Sequence, residues 1–223
     1  MKKLLLLLMV ALFVVGCGNG EETENGETPV QNVDNLEVLH PQSFHDLVTM
    51  FEELTYEYET EFSDEKMEVS YEYGGQEEIN GSVVSKLILD LDGEDASLYV
   101  NDEGEEVKIV IRGDTYTSDQ DGFRVVVSEI RSKMPKILNL PTEHITKRDR
   151  DRNTLVGTES VTIGTYTGTK EMYDDTSESS ITGETTHTIK HLGIFDDFML
   201  TIYEEREDDH MHVIFEIKDF KVR

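Results

Sequence analysis

Apolar residues between positions 43 and 54 recur at the spacing of an α-helix. Those that share one face of such a helix are Phe44, Leu47, Val48, Phe51 and Leu54. Ser43 fits the N-cap position and is followed three residues later by the acidic Asp46. The pattern therefore predicts an amphipathic helix over residues 44–54, whose apolar face must pack on another element.

The period changes to that of a β-strand after residue 55. Apolar or aromatic side chains alternate with acidic and small polar ones in two successive stretches, 56–62 and 67–73. A period of two places the apolar groups on one face of a sheet and the carboxylates on the other. These stretches predict two strands of an antiparallel sheet that meets water on one side.

Short strand-like runs fill most of the remaining chain and are separated by turn dipeptides such as Asn80-Gly81 and Asp92-Gly93. The predicted strands cover residues 83–91, 96–101, 107–111, 115–118, 123–127, 155–163, 165–173, 184–190, 198–205 and 211–220. A helical segment, 128–140, interrupts them and is broken at Pro135. The pattern predicts a mainly β domain, in which a curved antiparallel sheet buries its apolar face on itself and on one or two short helices.

Composition narrows the class of protein. The 223 residues include 37% apolar side chains, enough for one domain with a core but too few for a protein that crosses a membrane many times. Asp and Glu number 48 against 20 Lys and Arg, for a net charge of -28, which excludes binding driven by nucleic acid phosphates. The single cysteine cannot form an internal disulfide, so burial and backbone pairing must hold the domain together.

The N-terminus has the organisation of an export signal. Lys2 and Lys3 precede the apolar run 4–15, which is too short to span ~30 Å of hydrocarbon as a permanent helix. The run ends in Val14-Val15-Gly16-Cys17, which resembles the lipobox of bacterial lipoproteins. That resemblance implies a diacylglycerol thioether on the Cys17 thiol, cleavage just before Cys17 and acylation of the new amine, and so a palmitate-like anchor in a membrane of the bacterial cell envelope. The alternative is an ordinary signal peptide with a chance cysteine.

The chain is thus predicted to have three parts. Residues 1–16 form the lipoprotein signal peptide, 17–39 the lipidated Cys17 and an acidic tether, and 40–223 a single β domain outside the cytoplasm. The tether is rich in Gly, Glu, Asn and Thr and has no apolar period until its end, a composition typical of flexible linkers. Its root-mean-square reach over ~21 residues is ~25 Å.

The order of these segments resembles that of the LolA-like lipoprotein-carrier superfamily, which includes lipid-binding envelope lipoproteins. The resemblance spans residues 40–223 and is carried by YEYGGQEEINGSVVSKLILD (71–90) and EVKIVIRGDTYTSDQDGFRVV (106–126). The segment VGTESVTIGTYTGTK (156–170) is also similar to a β-hairpin of envelope lipoproteins. The resemblance implies an incomplete, strongly curved antiparallel barrel whose concave apolar side is covered by helices.

Two hypotheses for function follow. The first is that the domain binds, or also transfers, an apolar or amphipathic molecule such as a lipid or a lipoprotein acyl chain beneath the first helix. The pocket candidates are Phe44, Leu47, Val48, Phe51, Tyr56, Tyr58, Leu87 and Leu89. The second is a non-enzymatic surface module that uses its acidic face to contact a protein or an envelope polymer, with the apolar face packed as core. The sequence leaves both open, together with the oligomeric state.

Reactive chemistry has little support in the sequence. There is no GxSxG motif, no cysteine beyond the lipobox and no phosphate-binding glycine loop, so we expect neither an enzyme nor a cofactor. Four histidines could form a metal site if strands place them on one sheet face, as their spacings of four and two allow. These weak candidates are His187, His191, His210 and His212. Without a close-spaced ligand motif, surface histidines around a hairpin are the simpler interpretation.

The lipobox makes a direct prediction. Replacing Cys17 by Ala removes the thiol that accepts the diacylglyceryl group, so labelling of the chain by a fatty-acid probe in cells is expected to disappear. Replacing Gly18 by Ala, next to the anchor, is the matched control and is expected to leave labelling intact. Continued labelling of the Cys17→Ala chain would place the anchor elsewhere.

Overall fold

A computed structural model describes Val33 and residues 36–60, 63–134, 153–178 and 183–223. The predicted signal peptide, Cys17 and most of the predicted tether lie outside the described residues. Residues 135–152 also lie outside the described residues, and they include positions 135–140 of the helical segment predicted at 128–140. No helix among the described residues is both long enough and apolar enough to cross a membrane.

The described part of the chain contains twelve strands and two helices. In chain order they are β1 (Glu37–Val38), α1 (Phe44–Met50), β2 (Phe51–Thr60), β3 (Ser63–Ile79), β4 (Ser82–Leu91), β5 (Asp95–Asn101), β6 (Glu106–Ile111), β7 (Asp114–Thr117), α2 (Phe123–Lys133), β8 (Thr154–Ile163), β9 (Tyr166–Glu178), β10 (Thr185–Ile194), β11 (Phe198–Asp208) and β12 (Met211–Val222).

Eleven of these strands form one antiparallel sheet in the order β7-β6-β5-β4-β3-β2-β12-β11-β10-β9-β8. The two-residue β1 pairs with the start of β11 in parallel. The sheet is open, since β7 and β8 end the path without pairing to each other in the part of the chain described. The predicted class, a mainly β antiparallel sheet with two short helices, is confirmed.

Register separates a buried face from an exposed one across the five strands β2 to β6. Leu54, Tyr71, Leu89, Ala96 and Ile111 are successive cross-strand partners, and all are at most 4% exposed. One residue along, a second row alternates to the opposite face and contains Glu53, Glu72, Ile88, Ser97 and Val110. The period of two read from the sequence thus specifies which face packs under α1 and α2.

The first helix is shorter than predicted. It starts at Phe44, where the Ser43 hydroxyl accepts a hydrogen bond from the Asp46 amide at 3.1 Å, but it ends at Met50. Phe51 is extended, with φ -121° and ψ 140°, so Phe51 and Leu54 belong to β2. An irregularity in the β2–β12 register between Lys221 and Val222 allows both side chains to face the core although they lie three residues apart. The three-residue spacing of Phe51 and Leu54 is therefore the same as that of a helix, although both residues lie in a strand.

Residues 123–127, predicted as a strand, are the first turns of α2. The run Val125-Val126-Val127 favours a strand by local propensity, but Phe123, Val127 and Ile130 are the residues that bury, at helical spacing. Arg124 and Arg131, on the same side of the helix, both form ion pairs with Glu106 of β6. Burial of one helical face against the sheet overrides the β propensity of the valines.

The sheet divides where β11 and β12 separate. Their ladder runs only from Asp208–Met211 to Tyr203–Glu216, after which β12 follows β2 and β11 follows β10. β1 pairs with the start of β11, where β12 no longer does. Val33, Leu36 and Val38 pack there on a second apolar cluster. The last residues of the predicted tether are therefore part of the folded domain.

The β8–β9 turn folds back onto the end of β12. The Tyr166 ring stacks on Phe220 with centroids 4.8 Å apart, and its hydroxyl accepts a hydrogen bond from the Val222 amide at 3.0 Å. Phe195 and Phe198 pack around the same ring at centroid distances of 6.1 and 5.4 Å. This aromatic cluster brings β9, near one end of the sheet, into contact with β12, which lies in its middle.

Close backbone approach at Gly168 makes that return possible. A Cβ at this position would overlap the Ile194 carbonyl oxygen and lie 2.9 Å from the Phe195 ring. Gly168 in β9 is therefore required by the space between β9 and β10, since its φ is not in the left-handed region.

We expect Gly168→Ala to lower the free energy of unfolding by roughly 1–3 kcal/mol, because backbone atoms must move to admit the methyl group. Gly74→Ala is the matched control: its Cβ would meet side chains only, the Lys86 methylenes at 3.0 Å and Ile88 at 3.1 Å, which can shift. Its cost should stay below about 1 kcal/mol. Urea unfolding of both variants measures the difference, and equal costs would contradict the packing described here.

Candidate functional site

The space beneath α1, where the sequence places a pocket, is filled by side chains. All eight candidates are between 0 and 4% exposed and belong to the main hydrophobic core: Phe44, Leu47, Val48, Phe51, Tyr56, Tyr58, Leu87 and Leu89. Of these, Phe51 borders a cavity of about 20 Å³ that Leu39, His40 and Thr201 also line. That volume is room for about one water molecule.

Two buried tyrosines in this core differ in their hydrogen bonding. The Tyr71 hydroxyl donates to the Phe51 carbonyl at 3.2 Å, whereas the Tyr56 hydroxyl has no hydrogen-bond partner among the described residues. Burial raises the pKa of both phenols, and in Tyr56 the neighbouring Tyr58 adds to the effect. Both therefore stay neutral, and Tyr56 contacts Phe215 through its ring, with centroids 5.3 Å apart.

A cavity of about 530 Å³ lies elsewhere, among the C-terminal strands. We call it the β8–β12 cavity; all five strands from β8 to β12 contribute to its wall. Its lining residues are Val161, Thr162, Ile163, Lys170, His191, Ile202, Tyr203, Glu216, Ile217 and Lys218. The volume is within the range of about 300–1,000 Å³ that small-molecule sites occupy.

The wall of the β8–β12 cavity takes side chains from both faces of the sheet. Tyr203 is the cross-strand partner of both His191 and Glu216, so these three side chains share a face. The preceding residue of β12, Phe215, pairs with Tyr58 and points into the main core. Ile202 and Ile217, the neighbours of Tyr203 and Glu216 in the chain, also line the cavity but belong to the main core, so the cavity lies where β11 and β12 separate.

Ion pairs stand at two sides of this cavity. The Lys170 ammonium lies 2.6 Å from a Glu159 carboxylate oxygen, across the β8–β9 ladder. The Lys218 ammonium lies 2.7 Å from Glu216 and 3.0 Å from Glu57, and these contacts, Glu216 first, raise the pKa of Lys218. Each lysine is therefore already paired with a carboxylate.

An aromatic pair forms part of the wall between them. The His191 imidazole stacks on the Tyr203 ring with centroids 4.6 Å apart. Burial and then Lys170 lower the pKa of His191, against smaller opposing effects of Glu159 and Glu216, so the imidazole is neutral at pH 7. Burial, then the hydrogen bond that its hydroxyl donates to Glu205, raises the pKa of Tyr203 to about 12.

The other three histidines proposed as metal candidates lie beside separate carboxylates. His187 is 2.8 Å from Asp174, His210 is 3.1 Å from Glu184, and His212 is 3.1 Å from Glu205. Within the described ranges, no three His, Cys, Asp or Glu side chains come together in a way that could hold a metal ion. The weak metal candidates His187, His191, His210 and His212 are thus distributed over different local contacts.

The exposed face of β3, β2 and β12 carries carboxylates directly opposite one another. Glu53 pairs with Glu72, and Glu57 pairs with Glu68 on one side and Glu216 on the other. Like charges in opposing positions destabilise a sheet. Lys218 and Lys221 offset part of this repulsion, with Lys221 2.8 Å from Glu52.

Comparisons with known proteins give distant structural neighbours. No protein-family model matches the chain, and no curated protein matches it significantly. A "putative lipoprotein" from Parabacteroides distasonis is 13% identical, with a TM-score of 0.31, over 83% of this chain and 99% of its own. LprF from Mycobacterium bovis is 8% identical, with a TM-score of 0.32, over 78% and 87%. A "putative exported protein" with a YmcC-like fold from Bacteroides fragilis is 9% identical, with a TM-score of 0.31, over 83% and 99%.

Most of the β8–β12 cavity was not indicated by the sequence. His191 was singled out for metal binding, and Val161, Lys170, Tyr203 and Glu216 were not singled out at all. The alternation of Val161 and Ile163 in β8 is a local signal for an apolar face. Which strand that face meets depends on the contact of β8 with β12, about 55 residues later, for which no local signal exists.

The tyrosine pair in the core yields a matched test. Tyr56→Phe removes a buried hydroxyl that has no partner, so the free energy of unfolding should stay equal or rise by up to about 1 kcal/mol. Tyr71→Phe removes a hydrogen bond to a buried carbonyl and should lower it by about 0.5–1.5 kcal/mol. Chemical denaturation gives both values, and a loss at Tyr56 as large as at Tyr71 would indicate a hidden partner for the Tyr56 hydroxyl.

Proposed function

We propose that this chain is a lipid-anchored lipoprotein of the bacterial cell envelope whose domain binds a small apolar or amphipathic molecule in the β8–β12 cavity. The anchor is Cys17, and the domain stands outside the cytoplasm. The domain is a binding protein without catalytic activity. The single observation that carries the binding role is the cavity of about 530 Å³, whose wall combines aliphatic and polar side chains and has paired charges at its sides.

The chemistry of the wall supports an amphipathic ligand. Val161, Ile163, Ile202 and Ile217 contribute aliphatic surface; the three isoleucines are buried in the main core and Val161 packs against it. Burying such surface under a ligand contributes about 25 cal/mol per Å². The stacked His191 and the ammonium groups supply the few polar contacts that orient a ligand in a site of this kind.

The location of the site differs from the sequence-based hypothesis for a physical reason. A ligand beneath α1 would have to displace side chains that are already close-packed, since residues such as Phe44 and Leu87 are at most 1% exposed. Close-packed cores have no room for an added chain without strain. A ligand in the β8–β12 cavity displaces water only.

A second candidate function remains, the interaction module that contacts a protein or envelope polymer through acidic groups. The opposed carboxylates Glu53–Glu72 and Glu57–Glu68 support it, because a cationic partner would relieve their repulsion. Such a partner would bind to the exposed sheet face and would be released by salt.

The test is co-purification of a ligand with the full chain from the envelope of its own host. Val161→Trp, on a half-buried wall position, should fill the cavity and reduce ligand occupancy by about tenfold or more in native mass spectrometry. Val125→Trp, at a position 71% exposed on α2, is the matched control and should leave occupancy unchanged. Both variants should keep the melting temperature of the parent chain within a few degrees.

An unliganded parent chain, or equal occupancy in the Val161→Trp chain, would contradict the proposal. Capture of a cationic protein or polymer that 0.5 M salt releases, with both variants unaffected, would favour the interaction module instead.

A further inference from the structure

Charges around the β8–β12 cavity do not balance. Lys218 is shared by two carboxylates, Glu216 at 2.7 Å and Glu57 at 3.0 Å. These carboxylates also face each other, because Glu216 and Glu57 are cross-strand partners. One ammonium therefore serves two anions, and one negative charge is left over at the β12 side of the cavity.

The remaining polar groups of the wall do not compensate for this charge. Lys170 is already paired with Glu159 at 2.6 Å. The His191 ring is half-buried and stacked on Tyr203, and its neutral form carries no charge. Tyr203 keeps its proton, and its hydroxyl donates a hydrogen bond to Glu205. The two ammonium groups beside the cavity thus stand against three carboxylates.

We propose that the β8–β12 cavity binds a cationic amphiphile, a protonated amine on an apolar chain, with the ammonium at Glu216 and the chain against Val161, Ile163 and Ile202. This inference rests on the proposed function and names its ligand class. Any natural compound that carries a protonated amine on an apolar chain belongs to this ligand class.

Partner exchange at Lys218 explains how the amine enters without leaving a charge unpaired. When a ligand ammonium contacts Glu216, Lys218 retains Glu57, so each carboxylate then has its own cation. The side chain of Glu216 is 43% exposed, and that of Glu57 is 28% exposed, so Glu216 is the more accessible of the two. An anionic head group would instead have to take Lys218 or Lys170 from its present carboxylate and leave that carboxylate unpaired.

Three probes of equal chain length separate charge from apolar contact: n-octylamine, n-octanol and n-octanoate. At pH 7 the amine is cationic and the carboxylate anionic. We would titrate each into the full chain held in phosphatidylcholine nanodiscs by calorimetry, with empty nanodiscs subtracted. Octylamine should bind about tenfold more tightly than octanol, and octanoate more weakly than octanol.

Variants then locate the charge. Glu216→Gln keeps the shape of the side chain and should reduce the affinity for octylamine about tenfold while leaving octanol unchanged. Glu53→Gln removes the same charge from the same sheet face, on β2, which neighbours β12 but does not line the cavity, and should change octylamine binding less than about twofold at physiological salt.

The outcomes distinguish this inference from the proposed function. Equal binding of octylamine and octanol, or tightest binding of octanoate, would overturn the cationic ligand while an effect of Val161→Trp on all three probes still supports the cavity. Equal losses in Glu216→Gln and Glu53→Gln would overturn the contact at Glu216 in favour of a general field. No binding of any probe would overturn both.

Discussion

The separation of β11 from β12 is the constraint on which the rest of this fold depends. Their ladder ends at Tyr203 and Glu216, and beyond that point one continuous sheet has two directions to follow. Strands on the β2 side bury their apolar face under α1 and α2. Strands on the β8 side fold back so that Tyr166 reaches Phe220 and Val222. Both groups of strands therefore contribute to one main core, which includes Phe220 and the packed Tyr166 as well as the residues under the helices.

The space between the helices and the sheet is filled, whereas the β8–β12 cavity is hollow. The difference arises because the two regions are built from different elements. Helices supply large side chains that interdigitate with a sheet, and Phe44, Leu47 and Phe123 are at most 1% exposed in the core between helices and sheet. Across the β8–β12 cavity, sheet faces sheet. Small and polar residues occupy much of that wall, including Thr162, and the close approach of Gly168 to β10 sets how near the strands can come.

Local pattern predicted much of this architecture, and long-range pairing limited the rest. The alternation around Tyr56 and Tyr71 was sufficient to assign strands and the buried face, because the period of two is a property of the strand itself. The end of α1 was misplaced because Phe51 buries through an irregularity in its pairing with β12, near the far end of the chain. The cavity was missed for a related reason: Lys170, His191 and Glu216 come together only when β8 to β12 are assembled.

The cavity also shares its wall with the main core, which links binding to stability. Ile163, Ile202 and Ile217 belong to the same cluster of buried residues as Phe51 and Leu87, so a ligand that covers them extends the core rather than occupying a separate compartment. Any molecule that binds the folded chain alone adds stability by mass action. The opposed carboxylates of β12, β2 and β3 weaken the same part of the sheet. A ligand that neutralises Glu216 would therefore reduce this repulsion as well as cover the apolar residues of the wall.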